Sequence, residues 1–490
     1  MQNLTWLLKK INILWARGQF PSRLPTPFQK IDNLVIFLIC IVISIISSYK
    51  LLDLRPLNPG IIFSWLITFL EILFCCAVLI FISKKENPTI NARQIILILF
   101  LLLIAQGIKL NFSTFSPLSI IVPPALIISQ GMGTLTALTW VSIACINWPG
   151  SVNFISNYLL LITFISACIV SILGGKIRSR AQLLQISILV PIGALISQWI
   201  ILFGKNINLN FYNISNFFSP GDIFSDFILL AILMLVTILI MPILESIFGL
   251  LTKARLLELA DQEKPLLRKL SIEAPGTFEH TLLICGLAEE ATRMIGGDVD
   301  LIKTGALYHD IGKLHAPNWF IENQTGSTNP HEKLDNPILS AEILQDHVDK
   351  GLNLARKYRL PKPLASFIPE HQGTLKMGYF FHKAKEKNSN VSENIFRYKG
   401  PIPQSKETAI LMLADGCEAA LRAMKIDATD DEAILIITKI IKSREIDGQL
   451  SESNLSKAEI FLIKKSFLNV WKRIRHRRIQ YPTSKNNTFS

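Results

Sequence analysis

Leu250-Leu251-Thr252-Lys253-Ala254-Arg255-Leu256-Leu257-Glu258-Leu259-Ala260-Asp261-Gln262 is the stretch at which this chain changes character. Before it the sequence is a succession of long apolar runs. After it charged residues become frequent, and apolar positions recur with amphipathic helical spacing. Few helix breakers interrupt the stretch, so it predicts a direct helical or short connector between two halves that prefer different solvents. The composition agrees: 50% of the 490 residues are hydrophobic and 18% are charged, with a mean hydropathy of +0.38. That is too apolar for an ordinary cytosolic protein. The net charge is +13, and the basic residues sit beside apolar runs or near the C-terminus. This pattern suits an anionic bilayer surface and argues against a nucleic-acid polymer as partner.

Crossing about 30 Å of hydrocarbon takes roughly 20 apolar residues. Residues 32–250 offer about eight such runs, at 32–49, 61–83, 94–109, 115–129, 132–148, 154–174, 182–203 and 222–250. Pro123 and Pro124 interrupt the fourth, and the short Gln130-Gly131-Met132-Gly133 turn separates it from the fifth. Lys and Arg collect on the cytoplasmic side. Residues 1–31, with Lys9, Lys10, Arg17, Arg23 and Lys30, therefore read as a cytoplasmic arm ahead of a retained anchor, as opposed to a cleaved leader. Lys84, Lys85 and Arg93, and then Lys176, Arg178 and Arg180, also read as inside, whereas 204–221 carries only Lys205. These signs require residues 115–148 to begin and end outside, hence two short spans, and they deliver everything after Lys253 and Arg255 into the cytoplasm. Glu71 is the main candidate for a buried intramembrane carboxylate.

Downstream, helices are predicted at 277–294, 298–310, 337–350, 353–359, 362–371, 406–424, 429–443 and 456–476, with loops at 317–336 and 384–405. Nothing alternates with period two over a useful length, so the fold class is all-α: a multi-span transmembrane bundle followed by a cytosolic helical domain at 256–482 and a tail at 483–490. All eight histidines lie after residue 279. The sharpest feature is Tyr308-His309-Asp310-Ile311-Gly312-Lys313. An imidazole and a carboxylate on adjacent residues can bind neighbouring cations, the carboxylate bridging them. His280, His347, His371 and Asp415 each fall on or beside a predicted helix, so a bundle can aim all of them inward. Any one alone would pass for a helix cap; the set reads as metal ligands. His315, His331 and His382 lack the ligand pattern, and His476 lies in a basic terminal run. The cysteines form no CxxC pair, and Cys40, Cys75, Cys76, Cys145 and Cys168 lie in apolar segments, which excludes a zinc ribbon or disulfide framework.

From about Leu256 to Pro482 the sequence resembles the HD-domain phosphohydrolases, and within them the seven-transmembrane HD proteins of the PgpH type. Beyond the metal residues, the resemblance is carried by Glu273-Ala274-Pro275-Gly276-Thr277, Phe320-Ile321-Glu322-Asn323-Gln324, Phe396-Arg397-Tyr398 with Gly400-Pro401, Gln404-Ser405-Lys406-Glu407, and His476-Arg477-Arg478-Ile479-Gln480-Tyr481-Pro482. It implies that His280, His309, Asp310 and Asp415 hold one metal and that Asp310, His347 and His371 hold a second, two divalent ions of iron or manganese. It also implies a phosphodiesterase that opens cyclic di-AMP to linear pApA. His371-Gln372 stands where the family often has two histidines. Only about a dozen residues, 50–60, stand where the family carries a large extracytoplasmic domain.

The chemistry follows from charge: paired cations bind phosphodiester oxygens and acidify an attacking water. Asp310 and Lys313 are the expected catalytic residues, Lys313 neutralising a non-bridging oxygen. Asn323, Arg397 and Lys406 are candidate substrate contacts. Other readings are the same chemistry on cyclic di-GMP or a nucleoside phosphate, disfavoured for cyclic di-GMP by the absent Gly-Tyr-Pro signature, and a non-catalytic nucleotide receptor. The expected setting is the plasma membrane, with a cyclic dinucleotide and the bilayer as partners and a homodimer left open.

Overall fold

The computed structural model describes residues 26–52, 59–87, 90–111, 116–148, 158–206, 220–324, 329–425 and 427–476. The expected arm at 1–31, except for its last residues, and the tail at 483–490 lie outside them, as do 477–482 of the terminal motif and most of the 204–221 loop. The described residues fall into two compact units that divide at Arg255 and Leu256. Their regular elements are all helical, with one isolated bridge between Lys376 and Arg397.

The first unit consists of α1 (Thr26–Leu52), α2 (Pro59–Glu86), α3 (Ala92–Asn111), α4 (Pro117–Met132), α5 (Thr134–Ile146), α6 (Tyr158–Gly174), α7 (Arg180–Asn206) and α8 (Pro220–Phe248). These eight helices coincide with the eight apolar runs. Three, Pro59–Glu86, Arg180–Phe203 and Gly221–Phe248, are long and apolar enough to cross a membrane by length and composition. Each buries only 22% of its most apolar window and turns residues such as Phe74, Phe81, Ile200 and Leu239 outward, as a lipid-facing helix does. α4 behaves oppositely and is buried along nearly its whole length.

Pro123 and Pro124 do not interrupt α4, which runs through both. Neighbouring helices tolerate the missing amide in such a setting. The break comes at Gly133, whose φ of 117° is open to glycine and whose missing side chain leaves room for the Glu86 carboxylate. That carboxylate accepts from the Leu135 and Thr136 amides at 2.9 and 2.6 Å and from Thr136 Oγ1 at 2.7 Å, capping α5. Glu71 is exposed. The buried acid is instead Glu245, paired with Arg180 at 2.8 Å and accepting from Thr252 Oγ1 at 2.6 Å.

The second unit follows the connector α9 (Lys253–Leu259). It holds α10 (Pro265–Glu273), α11 (Pro275–Ile295), α12 (Val299–Tyr308), α13 (Pro330–Leu334), α14 (Pro337–Lys357), α15 (Lys362–Ala365), α16 (Phe367–Glu370), α17 (Gly378–Lys387), α18 (Lys406–Arg422), α19 (Asp430–Ile446) and α20 (Lys457–His476). Caps set the starts: Asp298 accepts from the Leu301 amide, Asn336 from those of Ile338 and Leu339, and Ser405 and Thr429 open capping boxes. The predicted helices at 337–350 and 353–359 are one helix, because Lys350-Gly351-Leu352 causes no break. The predicted 362–371 is two single turns, the predicted loop at 317–336 contains α13, and α17, which was not predicted, runs into the start of the loop at 384–405. The core is Leu, Ile, Ala and Phe from α11, α12, α18, α19 and α20.

Candidate metal centre

Five segments, three helices and two helix ends, aim their polar residues at one point. α11 carries His280; α12 ends at Tyr308, so that His309 and Asp310 start the 3-10 turn Ile311–His315; α14 carries His347; the end of α16 presents His371; α18 carries Asp415. His309, Asp310, His347 and His371 are essentially inaccessible, and His280 is 5% exposed. Asp415, with 22% of its side chain exposed, marks the side open to solvent.

The hydrogen bonds fix which imidazole nitrogen is available. His309 Nδ1 lies 2.6 Å from the Ala306 carbonyl, His347 Nδ1 2.5 Å from that of Leu344, and His371 Nδ1 3.0 Å from that of Phe367. A carbonyl only accepts, so each Nδ1 carries the proton and each Nε2 presents a lone pair. These three Nε2 atoms and Asp310 Oδ1 are buried without a hydrogen-bond partner. Asp310 Oδ1 lies 3.4 Å from His371 Nε2 and 3.6 Å from His347 Nε2, and Oδ2 lies 3.2 Å from His309 Nε2. Burial pushes His347 down to about 4, so it is neutral at pH 7. Acceptors facing acceptors in a dry interior repel one another unless a cation lies between them. The donor set thus fits metal ions, in two overlapping groups: His280, His309 and Asp310, and Asp310, His347 and His371, with ligand atoms in each group within 4.8 Å of one another.

His280 differs. Its Nε2 lies 3.0 Å from Asp415 Oδ1 and its Nδ1 2.6 Å from Glu418 Oε2, so both nitrogens face carboxylates. Burial disfavours its charge, but the bonds to Asp415 and Glu418 prevail and lift it to about 10. A proton therefore bridges His280 to Asp415, and a metal taking that position displaces it. Burial also opposes ionisation of Asp310 and Asp415; the Lys313 ammonium beside Asp310, and the His280 bond for Asp415, overcome it and hold both carboxyls below their usual range.

All six expected metal ligands converge. Lys313 joins them, 2.8 Å from Asp310 Oδ2 and 2.6 Å from Glu322 Oε1, with its ammonium 5.1 Å above the Phe320 ring. The three candidate substrate contacts have other partners. Asn323 accepts from the Thr277 amide at 3.0 Å and donates to Thr277 Oγ1 at 2.8 Å, fastening the Ile321–Asn323 turn to the start of α11. Arg397 is held by Glu393, Asp447 and the Thr374 carbonyl, and Lys406 pairs with Glu459. Sequence reasoning missed Glu418, Glu322 and Tyr398, whose ring lies 5.9 Å from that of His347. Glu418 was findable, since it stands three residues after Asp415 on one helix face. Glu322 lies inside the Phe320–Gln324 motif, where it accepts from Lys313 and from Thr277 Oγ1.

Residues 62–252 match the family described as "7TM receptor with intracellular HD hydrolase", and residues 277–420 match the HD domain. The "Uncharacterized protein slr0104" of Synechocystis sp. is 47% identical over 246 residues, 49% of this chain and 30% of its own length. "Cyclic-di-AMP phosphodiesterase PgpH" of Bacillus subtilis is 37% identical over 335 residues, 68% of this chain and 45% of its own. The crystal structure of the Listeria monocytogenes phosphodiesterase PgpH HD domain in complex with cyclic-di-AMP has 37% identity and a TM-score of 0.42, covering 44% of this chain and 99% of that one. The chain spans less than half the length of these curated relatives. The apolar half thus matches the seven-transmembrane model and the histidine-bearing half the HD domain, in that order, and over these stretches the chain is homologous to the PgpH cyclic-di-AMP phosphodiesterases.

Proposed function

We propose that this protein is a membrane-anchored, metal-dependent phosphodiesterase that hydrolyses cyclic di-AMP to pApA on the cytoplasmic side of the plasma membrane. The observation that carries this reading is the convergence of three bare Nε2 lone pairs on the Asp310 carboxylate, in two overlapping ligand groups. Two divalent ions of iron or manganese, when bound there, supply electrophilic stabilisation of the phosphodiester and a water acidic enough to attack it.

The remaining work falls to the chain. His309, His347 and His371 keep their orientation through Nδ1–H bonds to backbone carbonyls. Glu418 orients His280. Lys313, kept protonated by Asp310 and Glu322 against the cost of burial, lies beside the Asp310 carboxylate and would donate to a non-bridging phosphate oxygen. Attack by water forms one P–O bond and breaks the ester P–O bond; the water gives up one proton and the departing ribose oxygen takes up one, both exchanged with solvent on the open, Asp415 side. Substrate identity rests on the relatives named above: the Bacillus subtilis protein is called a cyclic-di-AMP phosphodiesterase, and the Listeria monocytogenes HD domain was crystallised in complex with cyclic-di-AMP.

Orientation is supported by which loops meet. Glu86 caps the start of α5, Gln94 Nε2 donates to the Gly249 carbonyl at 3.0 Å, and Arg180 pairs with Glu245. These junctions carry Lys84, Lys85, Arg93, Lys176, Arg178, Lys253 and Arg255. The basic ends thus share one face, as eight crossings with that face in the cytoplasm require.

The test incubates the full chain in detergent with manganese or iron and separately with cyclic di-AMP, cyclic di-GMP and pApA, following products by chromatography. The reading expects pApA from cyclic di-AMP and its loss in His309→Ala and Asp310→Ala. Equal rates on all the cyclic substrates, or turnover that survives both substitutions, refute it.

A further inference from the structure

A cleft of about 540 Å³ opens on the second unit, lined by Lys376, Arg397, Lys439, Lys442, Arg444 and Asp447 among others. Five cations against one carboxylate is a strong bias for a concave surface. The carboxylates present offset only part of it. Glu393 and Asp447 hold Arg397, and Glu393 holds Lys376 at 3.1 Å. Lys439 and Lys442, three residues apart on α19 and both exposed, have no carboxylate partner among the described residues. Two ammonium groups at that spacing repel each other. Arg444, two residues after Lys442, has its Nε buried without an acceptor.

This cleft is distinct from the metal centre. On α18, Asp415 and Glu418 turn to His280, whereas Gly416 between them faces α19, with the Ile440 side chain and Arg444 Nη2 at 3.3 and 3.4 Å from where a Cβ would stand. Arg397 has an extended backbone, φ −101° and ψ 140°, so successive side chains point to opposite sides. Tyr398 packs on His347, and Arg397 lines the cleft. The two sites therefore stand back to back, separated by α18 and by the 397–398 segment.

We infer that the cleft is a second anion site that takes the phosphates of a small polyphosphorylated ligand, a pyrophosphate group or the terminal phosphates of a linear nucleotide. Its volume suits such a ligand, within the roughly 300–1,000 Å³ usual for small-molecule pockets. Its concavity favours a free phosphate over the flat array of a lipid surface. No aromatic ring lines it, so recognition runs through charge and not through base stacking.

The test uses the full chain in zwitterionic nanodiscs, stripped of metal by a chelator so that the hydrolytic centre cannot bind the probe. Titration calorimetry with inorganic pyrophosphate should show one site per chain. Lys439→Glu/Lys442→Glu should weaken it at least about tenfold, as loss of charge-assisted contacts to phosphate does. The thermal melt and the metal content after reloading should match wild type, which separates a lost site from a lost fold. A second titration in nanodiscs with anionic lipid distinguishes sources: unchanged pyrophosphate binding supports the small ligand. No binding of pyrophosphate, binding undiminished by the double substitution, or displacement of the probe by the anionic headgroups overturns the inference. Failure here leaves the hydrolytic reading intact, because no metal-bound step enters the readout.

Discussion

Gly312→Ala is the substitution by which the geometry is most exposed to refutation. Gly312 lies two residues after the bridging carboxylate, on the 3-10 turn that packs against α14. A Cβ built there would stand 1.7 Å from the His347 carbonyl oxygen and 2.6 Å from the Gly351 amide, both backbone atoms that no rotamer change can move. The contact must retreat from 1.7 Å to at least 3.0 Å, so the turn and α14 must separate by about 1.3 Å. His347 Nε2 is already 3.6 Å from Asp310 Oδ1, and metal ligand distances tolerate only about ±0.2 Å. The second ligand group cannot survive that movement. Overpacking of this kind costs about 1–3 kcal/mol, and misplacement of reacting groups by about 1 Å costs on the order of 10²-fold in rate. We expect a folded helical protein that retains one metal ion of two and loses about two orders of magnitude in turnover of cyclic di-AMP. The assay is elemental analysis of the reloaded full chain, beside product chromatography. Gly286→Ala on α11, where a Cβ meets nothing within 4 Å, is the control and should keep both metals. Wild-type metal content and rate in Gly312→Ala would refute the packing argument and with it the role of His347.

Glu418→Gln should lower metal affinity about 10- to 100-fold while leaving the helical content unchanged, because it removes the carboxylate that orients His280; equilibrium dialysis against the metal checks it. The pH dependence of the metal-free protein follows from His280. Its folded value of about 10 lies above the ordinary histidine value of 6.5, so its contribution to stability is complete below pH 6.5 and is lost as the pH rises towards 10. Chelated protein should therefore melt at progressively lower temperature between these values, and protein loaded with metal, which has already displaced the proton, should show a flatter profile. Gly133→Ala should loosen the first unit, since the substitution combines a φ of 117° with a Cβ 2.3 Å from the Glu86 carboxyl; a lowered detergent melting temperature without a change in the metal content of the second unit is the expected result.

Much of this was legible in the residues, for reasons that also mark the limits. The eight apolar helices follow from hydropathy alone, because every one needs an uninterrupted apolar run. What hydropathy could not tell was that Pro123 and Pro124 sit inside a helix buried by its neighbours, or that Glu245 and not Glu71 is the acid shielded from solvent. The six candidate metal ligands were readable as a set because ligand residue types recur near predicted helices in the order of the resemblance, and the structure brings their side chains together. Asn323, Arg397 and Lys406 illustrate the opposite case. A polar residue in a motif is chosen by composition, but whether it faces a ligand or clamps a turn is decided by contacts 46 to 53 residues away. Glu418 was missed for the converse reason: its partner His280 is 138 residues distant.

The account rests on a pair of cations held between His280, His309, Asp310, His347, His371 and Asp415. Electron paramagnetic resonance of the full chain reloaded with manganese, with the metal counted in the same sample, tests it directly. Two manganese ions per chain with an exchange-coupled spectrum, replaced by uncoupled or absent signals in Asp310→Ala, are predicted. A single isolated ion in the wild type, or a coupled pair that persists without the Asp310 carboxylate, would contradict it.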